Sequence, residues 1–156
     1  GTTAWNSTTP TSSVVHLGAH NAGANKSGDD QIAYCFAEKT GYSKFGSYTG
    51  NGSTDGTFVY TGFSPAFVMT KRSDATQNWE IYDNKRDPFN EPDARLRANL
   101  TNAEDDQTGC DFLSNGFKWR NTNDSKNTSG GSYIYMAFAE EPLVANVGAS
   151  IPATAR

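Results

Sequence analysis

Residues 127–140 read Asn-Thr-Ser-Gly-Gly-Ser-Tyr-Ile-Tyr-Met-Ala-Phe-Ala-Glu, and residues 25–38 read Asn-Lys-Ser-Gly-Asp-Asp-Gln-Ile-Ala-Tyr-Cys-Phe-Ala-Glu. The two segments align without a gap, 102 residues apart, and seven of the fourteen positions are identical. A period near one hundred residues is too long for a solenoid repeat and fits a whole small domain. The match predicts a duplicated unit in which both segments are strands with the same structural role.

This interpretation divides the chain into three parts. Residues 41–140 form one β-sandwich repeat unit, and residues 1–40 hold an irregular leading segment followed by the closing strands of a preceding unit. Residues 141–156 contain Pro and Ala without periodicity and are predicted to be an irregular tail. The segment at 133–139 is apolar on both faces, which favours a central strand.

The composition indicates an all-β fold. Hydrophobic residues make up 35% of the chain, a low share, whereas aromatic residues reach 12%. Short strand candidates, about eight or nine in number, are separated by turn residues, as in an antiparallel β-sandwich. Asn115-Gly116 is a strong hairpin signal between two of them. The fold class expected is a loop-rich β-sandwich of the jelly-roll or concanavalin-like type, without a long helix.

Charge and hydropathy exclude several functions. The formal net charge is −4, and basic residues are not concentrated anywhere, which argues against a nucleic-acid partner. No apolar run approaches the roughly 18–20 residues that a bilayer span requires, so membrane insertion is not expected. No cofactor-binding motif is present, and no cofactor is predicted.

The two cysteines, Cys35 and Cys110, allow two interpretations. They could form one disulfide. Alternatively, Cys35 is a buried and unreactive thiol, because the matching position in the second segment is Ala137 and a free cysteine packs as a small hydrophobe. A catalytic thiol is not expected, since nothing beyond nearby histidines supports one.

Candidate ligand-binding residues combine exposed aromatic rings with amide and carboxylate groups, the mixture that sugars require. They are Trp79, Tyr82, Asp83, Asn84, Trp119 and Asn121. The competing interpretation is that these aromatic residues build the core of a domain poor in aliphatic residues.

Catalysis and metal binding are both less well supported. Retaining glycosidases need two carboxylates on one strand face, whereas Glu80 and Asp83 have an odd spacing that places them on opposite faces. Acidic residues at 104–106 and at Asp55 offer oxygen ligands but match no spaced metal-loop motif, so no metal site is predicted. The chain is therefore not expected to be an enzyme.

Several segments carry a resemblance to a known family. They are Ile32-Ala-Tyr-Cys-Phe-Ala-Glu38, Gly41-Tyr-Ser-Lys-Phe-Gly-Ser-Tyr-Thr-Gly50, Phe58-Val-Tyr-Thr-Gly-Phe63, Pro65-Ala-Phe-Val-Met69, Asp111-Phe-Leu-Ser-Asn-Gly-Phe117 and Tyr133-Ile-Tyr-Met-Ala-Phe-Ala-Glu140. Together they resemble an uncharacterised domain near the C-termini of virion proteins of tailed, mainly marine, bacteriophages. There it often follows a concanavalin-A-like, laminin-G-like sandwich.

The resemblance implies a virion structural protein and lends no catalytic residues. The function expected is a module of the tail-fibre or receptor-binding type that contacts host surface glycans. Its expected partners are other virion proteins, further copies of itself and a host glycan, and its expected location is the virion. One alternative is a capsid decoration or fibre-shaft domain without a ligand, and another is an enzyme acting on surface polysaccharide.

Overall fold

The computed structural model describes residues 6–11, 13–18, 25–141, 144–145 and 151–152. The chain divides into two compact units, Gly1–Phe36 and Ala37–Arg156. All the strands belong to the second unit, and the described residues contain no helix. The expected all-β fold class is confirmed. Its jelly-roll or concanavalin-like topology stays a prediction.

The described residues of the second unit contain eleven strands. Their bounds are β1 Ser43–Thr49, β2 Phe58–Tyr60, β3 Phe67–Arg72, β4 Trp79–Asp83, β5 Ala94–Arg95, β6 Asp105–Asp106, β7 Cys110–Leu113, β8 Gly116–Trp119, β9 Ser132–Phe138, β10 Val144–Ala145 and β11 Ile151–Pro152.

The largest sheet has four strands in the order β1-β9-β3-β4, all antiparallel. Strand β9 lies between β1 and β3, so the prediction of a central strand at 133–139 is confirmed. Side chains alternate along β9, and Tyr133, Tyr135 and Ala137 face the core. In β4 the same alternation buries Glu80 and Tyr82 and leaves Trp79, Ile81 and Asp83 partly exposed on the opposite face.

A second sheet has three strands in the order β2-β8-β7. Strands β7 and β8 form the hairpin predicted from Asn115-Gly116, in which Leu113 pairs with Gly116. A side chain at Gly116 would collide with the carbonyl oxygen of Val59 in β2. Glycine is therefore required there by the close approach of the neighbouring strand.

The core consists mainly of aromatic rings contributed by both of these sheets. Phe117 in β8 packs edge-on against Tyr135 in β9, with ring centroids 5.5 Å apart. Trp119 packs against Tyr82 of β4 at 6.1 Å, and Tyr48 of β1 stacks on Tyr133 at 4.9 Å. Because each ring buries about 150–250 Å², few aliphatic residues are needed.

Two further pairs of short strands complete the unit. Strand β5 pairs with β6, where Arg95 and Arg97 both contact the carboxylate of Asp105 at 2.7 and 2.8 Å. Strand β10 pairs with β11. The region 141–156, predicted to be an irregular tail, therefore contains a short strand pair.

The strand predicted at residues 31–38 does not form. These residues lie outside any strand and are exposed, and Ile32 and Tyr34 retain 82% and 80% of their accessible surface. The strand candidate at 14–17 is likewise not a strand. Strands need neighbours that pair with their backbone, and no strand among the described residues pairs with either segment.

The cysteines are both free, Cys35 exposed and Cys110 buried. The expectation that Cys35 is a buried thiol is therefore wrong, because the strand that would have buried it does not form. Burial in the core raises the pKa of the Cys110 thiol well above its usual range.

The buried tyrosines predict a loss of stability in alkali. Burial raises the pKa of Tyr48, Tyr82, Tyr133 and Tyr135. A raised pKa in the folded state stabilises the fold below the unfolded value of about 10, and this stability is lost as the pH rises further. We expect the free energy of unfolding to fall above pH ~10, by up to about 1.4 kcal/mol per pH unit for each fully enclosed tyrosine.

Urea unfolding between pH 8 and 11.5 measures this effect. The Tyr135→Phe variant should show a flatter decline, whereas Tyr60→Phe, at an exposed tyrosine, should follow the unchanged chain. A constant free energy of unfolding over this range would contradict the prediction.

Candidate functional site

The six residues predicted to bind a ligand do not form one site. Tyr82 and Trp119 have no accessible surface, and their rings pack against each other in the core. A sugar ring cannot stack on an enclosed aromatic face. For these two residues the structure agrees with the competing interpretation, in which the aromatic residues build the core.

The polar members of the predicted set mainly hold loops. Asp83 accepts hydrogen bonds from the backbone of Lys85 and Arg86, both at 3.0 Å, and pairs with the Arg86 guanidinium at 2.7 Å. Although burial alone would raise the pKa of Asp83, its hydrogen bonds with Arg86 and Lys85 lower it overall. Asn121 donates to the carbonyl oxygens of Thr108 and Gly109 at 2.6 and 3.1 Å.

Trp79 differs from Tyr82 and Trp119 because it lies outside the core. It lies in β4 on the sheet face opposite Glu80 and Tyr82 and is partly exposed. Its backbone N–H donates to the side chain of Asn99, which in turn donates to Asn78. Trp79 therefore remains accessible, at a distance from the enclosed rings of the predicted set.

Asn84, the last of the six, lines a groove of about 200 Å³ at the end of β4. The groove is formed by the turn before β3, the loop after β4 and the edge of β7. Its lining residues are Ser64, Pro65, Asn84, Asp87, Pro88, Phe89, Asn90, Pro92 and Phe112, and we call it the Phe89 groove.

Side-chain hydrogen bonds fix the loop that forms the Phe89 groove. The Asn90 amide donates to the backbone oxygen of Phe112 at 2.9 Å and accepts from its N–H at 2.8 Å, as a neighbouring strand would. The Asp87 carboxylate accepts the backbone N–H of Asp93 at 2.9 Å. The groove is therefore bounded by a loop with defined partners at both of its ends.

The groove presents one apolar ring among polar groups. The Phe89 side chain is 78% exposed. Asn84 donates from Nδ2 to Glu140 at 3.3 Å, which directs its Oδ1 away from that carboxylate, and the buried Oδ1 has no donor among the described residues. An aromatic face beside the carboxylate of Asp87 suits a ligand with an apolar face and hydroxyl groups.

Residues 1–142 match the domain family described as Domain of unknown function (DUF7483). The chain belongs to this family. Neither a curated protein nor a solved structure matches the chain.

This member of the family also buries a cluster of charged side chains, which we call the Lys126 cluster and which comprises Lys126, Glu80, Tyr82, Arg95 and Gln107. The Lys126 Nζ lies 3.1 Å from Glu80, 2.6 Å from the Tyr82 hydroxyl and 3.0 Å from Gln107. Burial lowers the pKa of Lys126, while the neighbouring Glu80 opposes the shift. Lys126 and Glu80 are 0% and 2% exposed. A substrate cannot reach groups so enclosed, so the cluster's role is structural.

Acidic residues that could have held a cation are paired with basic side chains instead. Asp55 lies 2.6 Å from Lys118, and Glu104 lies 2.6 Å from Arg86. Within the part of the chain that the structure describes, no group of His, Cys, Asp and Glu side chains could hold a metal ion. The same residues include no helix long and apolar enough to cross a bilayer.

Sequence reasoning missed Phe89, Asp87 and Asn90. A signal was present, because Phe89 lies in a polar loop between Asp87-Pro88 and Glu91-Pro92. A large aromatic residue between two X-Pro turns has little chance of reaching a core and marks a binding loop. Only the fold shows that this loop lies beside Asn84 and Phe112.

Proposed function

We propose that this chain is a structural module of a bacteriophage virion, of the tail-fibre or receptor-binding type, which binds a host surface glycan in the Phe89 groove. The virion assignment is supported by the sequence resemblance described above. The glycan assignment is supported mainly by one observation, the exposed ring of Phe89 beside Asn84 and Asp87. On this proposal the module is displayed on the particle and contacts other virion proteins, including copies of itself.

The dimensions and chemistry of the Phe89 groove favour a single sugar ring. Its volume of about 200 Å³ lies below the range of roughly 300–1,000 Å³ that is typical of sites for drug-sized ligands. Phe89 offers a face for the C–H side of the sugar ring, while the Asp87 carboxylate offers an acceptor for hydroxyl groups. Such a site would take a terminal or branching residue of a longer polysaccharide.

A binding role is favoured over a catalytic one. The carboxylates of Glu80 and Asp83 point to opposite faces of β4, and Glu80 is 2% exposed. A pair of carboxylates about 5–9 Å apart around an open cleft is what glycoside hydrolysis requires, and these two do not provide it. We therefore propose that the module acts without chemistry on its ligand.

Binding of the chain to an array of host-derived surface polysaccharides tests the proposal. Phe89→Ala should weaken binding to the best array ligand at least about tenfold, or about 1.4 kcal/mol, because the stacking face is lost. Tyr60→Ala is the matched control, since Tyr60 is another exposed aromatic residue, in β2.

Three results would separate the alternatives. A loss of binding in Trp79→Ala but not in Phe89→Ala would move the site to the outer face of β4. Silence with every host glycan, together with stoichiometric density on purified capsids, would favour a decoration or shaft domain. Release of reducing ends from host polysaccharide would show an enzyme.

A further inference from the structure

Residues 13–38 match a longer part of the second unit than the fourteen-residue segment alone. With the same offset and no gap, residues 13–38 align with residues 115–140, which contain β8 and β9. Val15 and Leu17 then align with Phe117 and Trp119, the two core residues of β8. The apolar alternation of β8 is thus present in the first unit. On the core-facing side of β9, Ala33 and Cys35 align with Tyr135 and Ala137, and the polar Gln31 aligns with Tyr133.

The structure repeats the turn that precedes β9. Gly28 and Gly130 occupy equivalent positions and have φ angles of +85° and +73°, in the left-handed region. The backbone N–H of Asp29 donates to Lys26 at 3.4 Å, and the equivalent Gly131 donates to Thr128 at 3.1 Å. The turn at residues 26–29 therefore has the same backbone form as the turn at residues 128–131, whereas Asn25, with a φ of +66°, differs from Asn127.

The two copies differ in what surrounds them. In the second unit, β9 has strand partners on both sides, and Ala137 is fully buried. In the first unit, Ile32 and Tyr34 are exposed, and Val15 and Leu17 are 45% and 48% exposed. These four apolar side chains line an open groove of about 680 Å³ within the first unit. Exposed apolar surface of this kind marks an interaction site.

We propose that residues 13–38 are the two closing strands of another unit with the fold of residues 37–140, placed one period upstream. In that unit they occupy the positions that β8 and β9 occupy in the second unit. Residues 31–38 pair there on both sides with strands equivalent to β1 and β3. In that unit Val15, Leu17 and Cys35 face the core, as Phe117, Trp119 and Ala137 do in the second unit. Ile32 and Tyr34 lie on the outer face of the sheet, as Ile134 and Met136 do, and Asn25 takes the buried place of Asn127.

Cys35 gives a direct readout of this docking. It is exposed in the chain as it stands, whereas its counterpart Ala137 is fully buried between β1 and β3. The experiment compares the 156-residue chain with a tandem chain. The tandem chain consists of an added copy of residues 37–114 followed directly by residues 13–156. The added copy carries Cys110→Ala, and the other Cys110 is buried in both chains.

The rate of thiol labelling at Cys35 with an aromatic disulfide reagent is measured in both chains. We expect labelling to slow at least about 100-fold in the tandem chain, because a buried thiol reacts only after local opening. Equal labelling rates in the two chains would overturn the proposal. This holds even if the added copy failed to fold, because residues 13–38 would then not complete the sheet of that copy.

A proline variant distinguishes strand pairing of residues 31–38 from burial of Cys35 by apolar contacts alone. Proline cannot donate to a strand ladder, so Ile32→Pro in the tandem chain should restore the Cys35 labelling rate of the single chain. The same change in the single chain should leave that rate unaltered. Protection of Cys35 that survives Ile32→Pro would count against insertion of the segment as a central strand.

Discussion

Replacing Lys126 with methionine should lower the free energy of unfolding by about 3–5 kcal/mol. The methionine fills the space of the aliphatic stem but leaves the Glu80 carboxylate buried without its nearest cation. Arg95 remains 3.3 Å from Glu80 but also pairs with Asp105. Removing one partner of a buried ion pair costs far more than removing both, because an uncompensated charge stays out of water.

Chemical denaturation of four variants, Lys126→Met, Glu80→Gln, their combination and Lys85→Met, measures this effect. Lys85→Met is the matched control, since Lys85 is exposed and its ion pair with Glu140 lies in solvent; a change within about 0.5 kcal/mol is expected. Combining Lys126→Met with Glu80→Gln should recover at least about 1 kcal/mol relative to the sum of the single changes. Additive losses in the double variant would show that Lys126 and Glu80 do not depend on each other.

The second large effect is expected at Asn127. Its side chain is fully buried and joins two loops to the strand that follows. The Nδ2 group donates to Asn51 Oδ1 at 3.0 Å and to the backbone oxygens of Ser53 and Asn121, both at 2.9 Å. The Oδ1 atom accepts the backbone N–H of Asn51 at 3.1 Å.

Asn127→Ala should therefore cost at least about 3 kcal/mol, because each buried group left without a partner costs about 1–3 kcal/mol. Asn127→Asp should be no better, since a carboxylate would face the two carbonyl oxygens that Nδ2 now contacts. Asn25→Gly is the control at the equivalent repeat position, which is exposed and has a φ of +66° that glycine adopts without strain, and it should change stability by less than about 0.5 kcal/mol. Equal losses at both positions would contradict this assignment of roles.

Local sequence rules predicted the parts of the fold that are governed by neighbouring residues. The Asn115-Gly116 turn and the apolar run of β9 were both interpreted correctly. Strand β6 was missed because Asp105 and Asp106 have no apolar alternation. That strand depends on the arginines of the β5 region, a contact that periodicity does not encode.

The candidate site was harder to predict for a related reason. Tyr82 and Trp119 resemble sugar-stacking residues in composition, yet a core poor in Leu and Ile needs their rings. Alternation in β4 correctly placed Glu80 and Asp83 on opposite faces. It could not show that Lys126, from the loop before β9, reaches Glu80 in the core. The Phe89 groove likewise depends on chain segments that meet only in the folded unit.

The order of strands in the large sheet has a consequence for synthesis on the ribosome. Strand β9 separates β1 from β3 and is translated after both of them. The nascent chain therefore cannot close this sheet until residue 138 has left the exit tunnel. Until then the facing edges of β1 and β3 are open to incorrect pairing, a hazard that grows when translation stalls in the preceding loop.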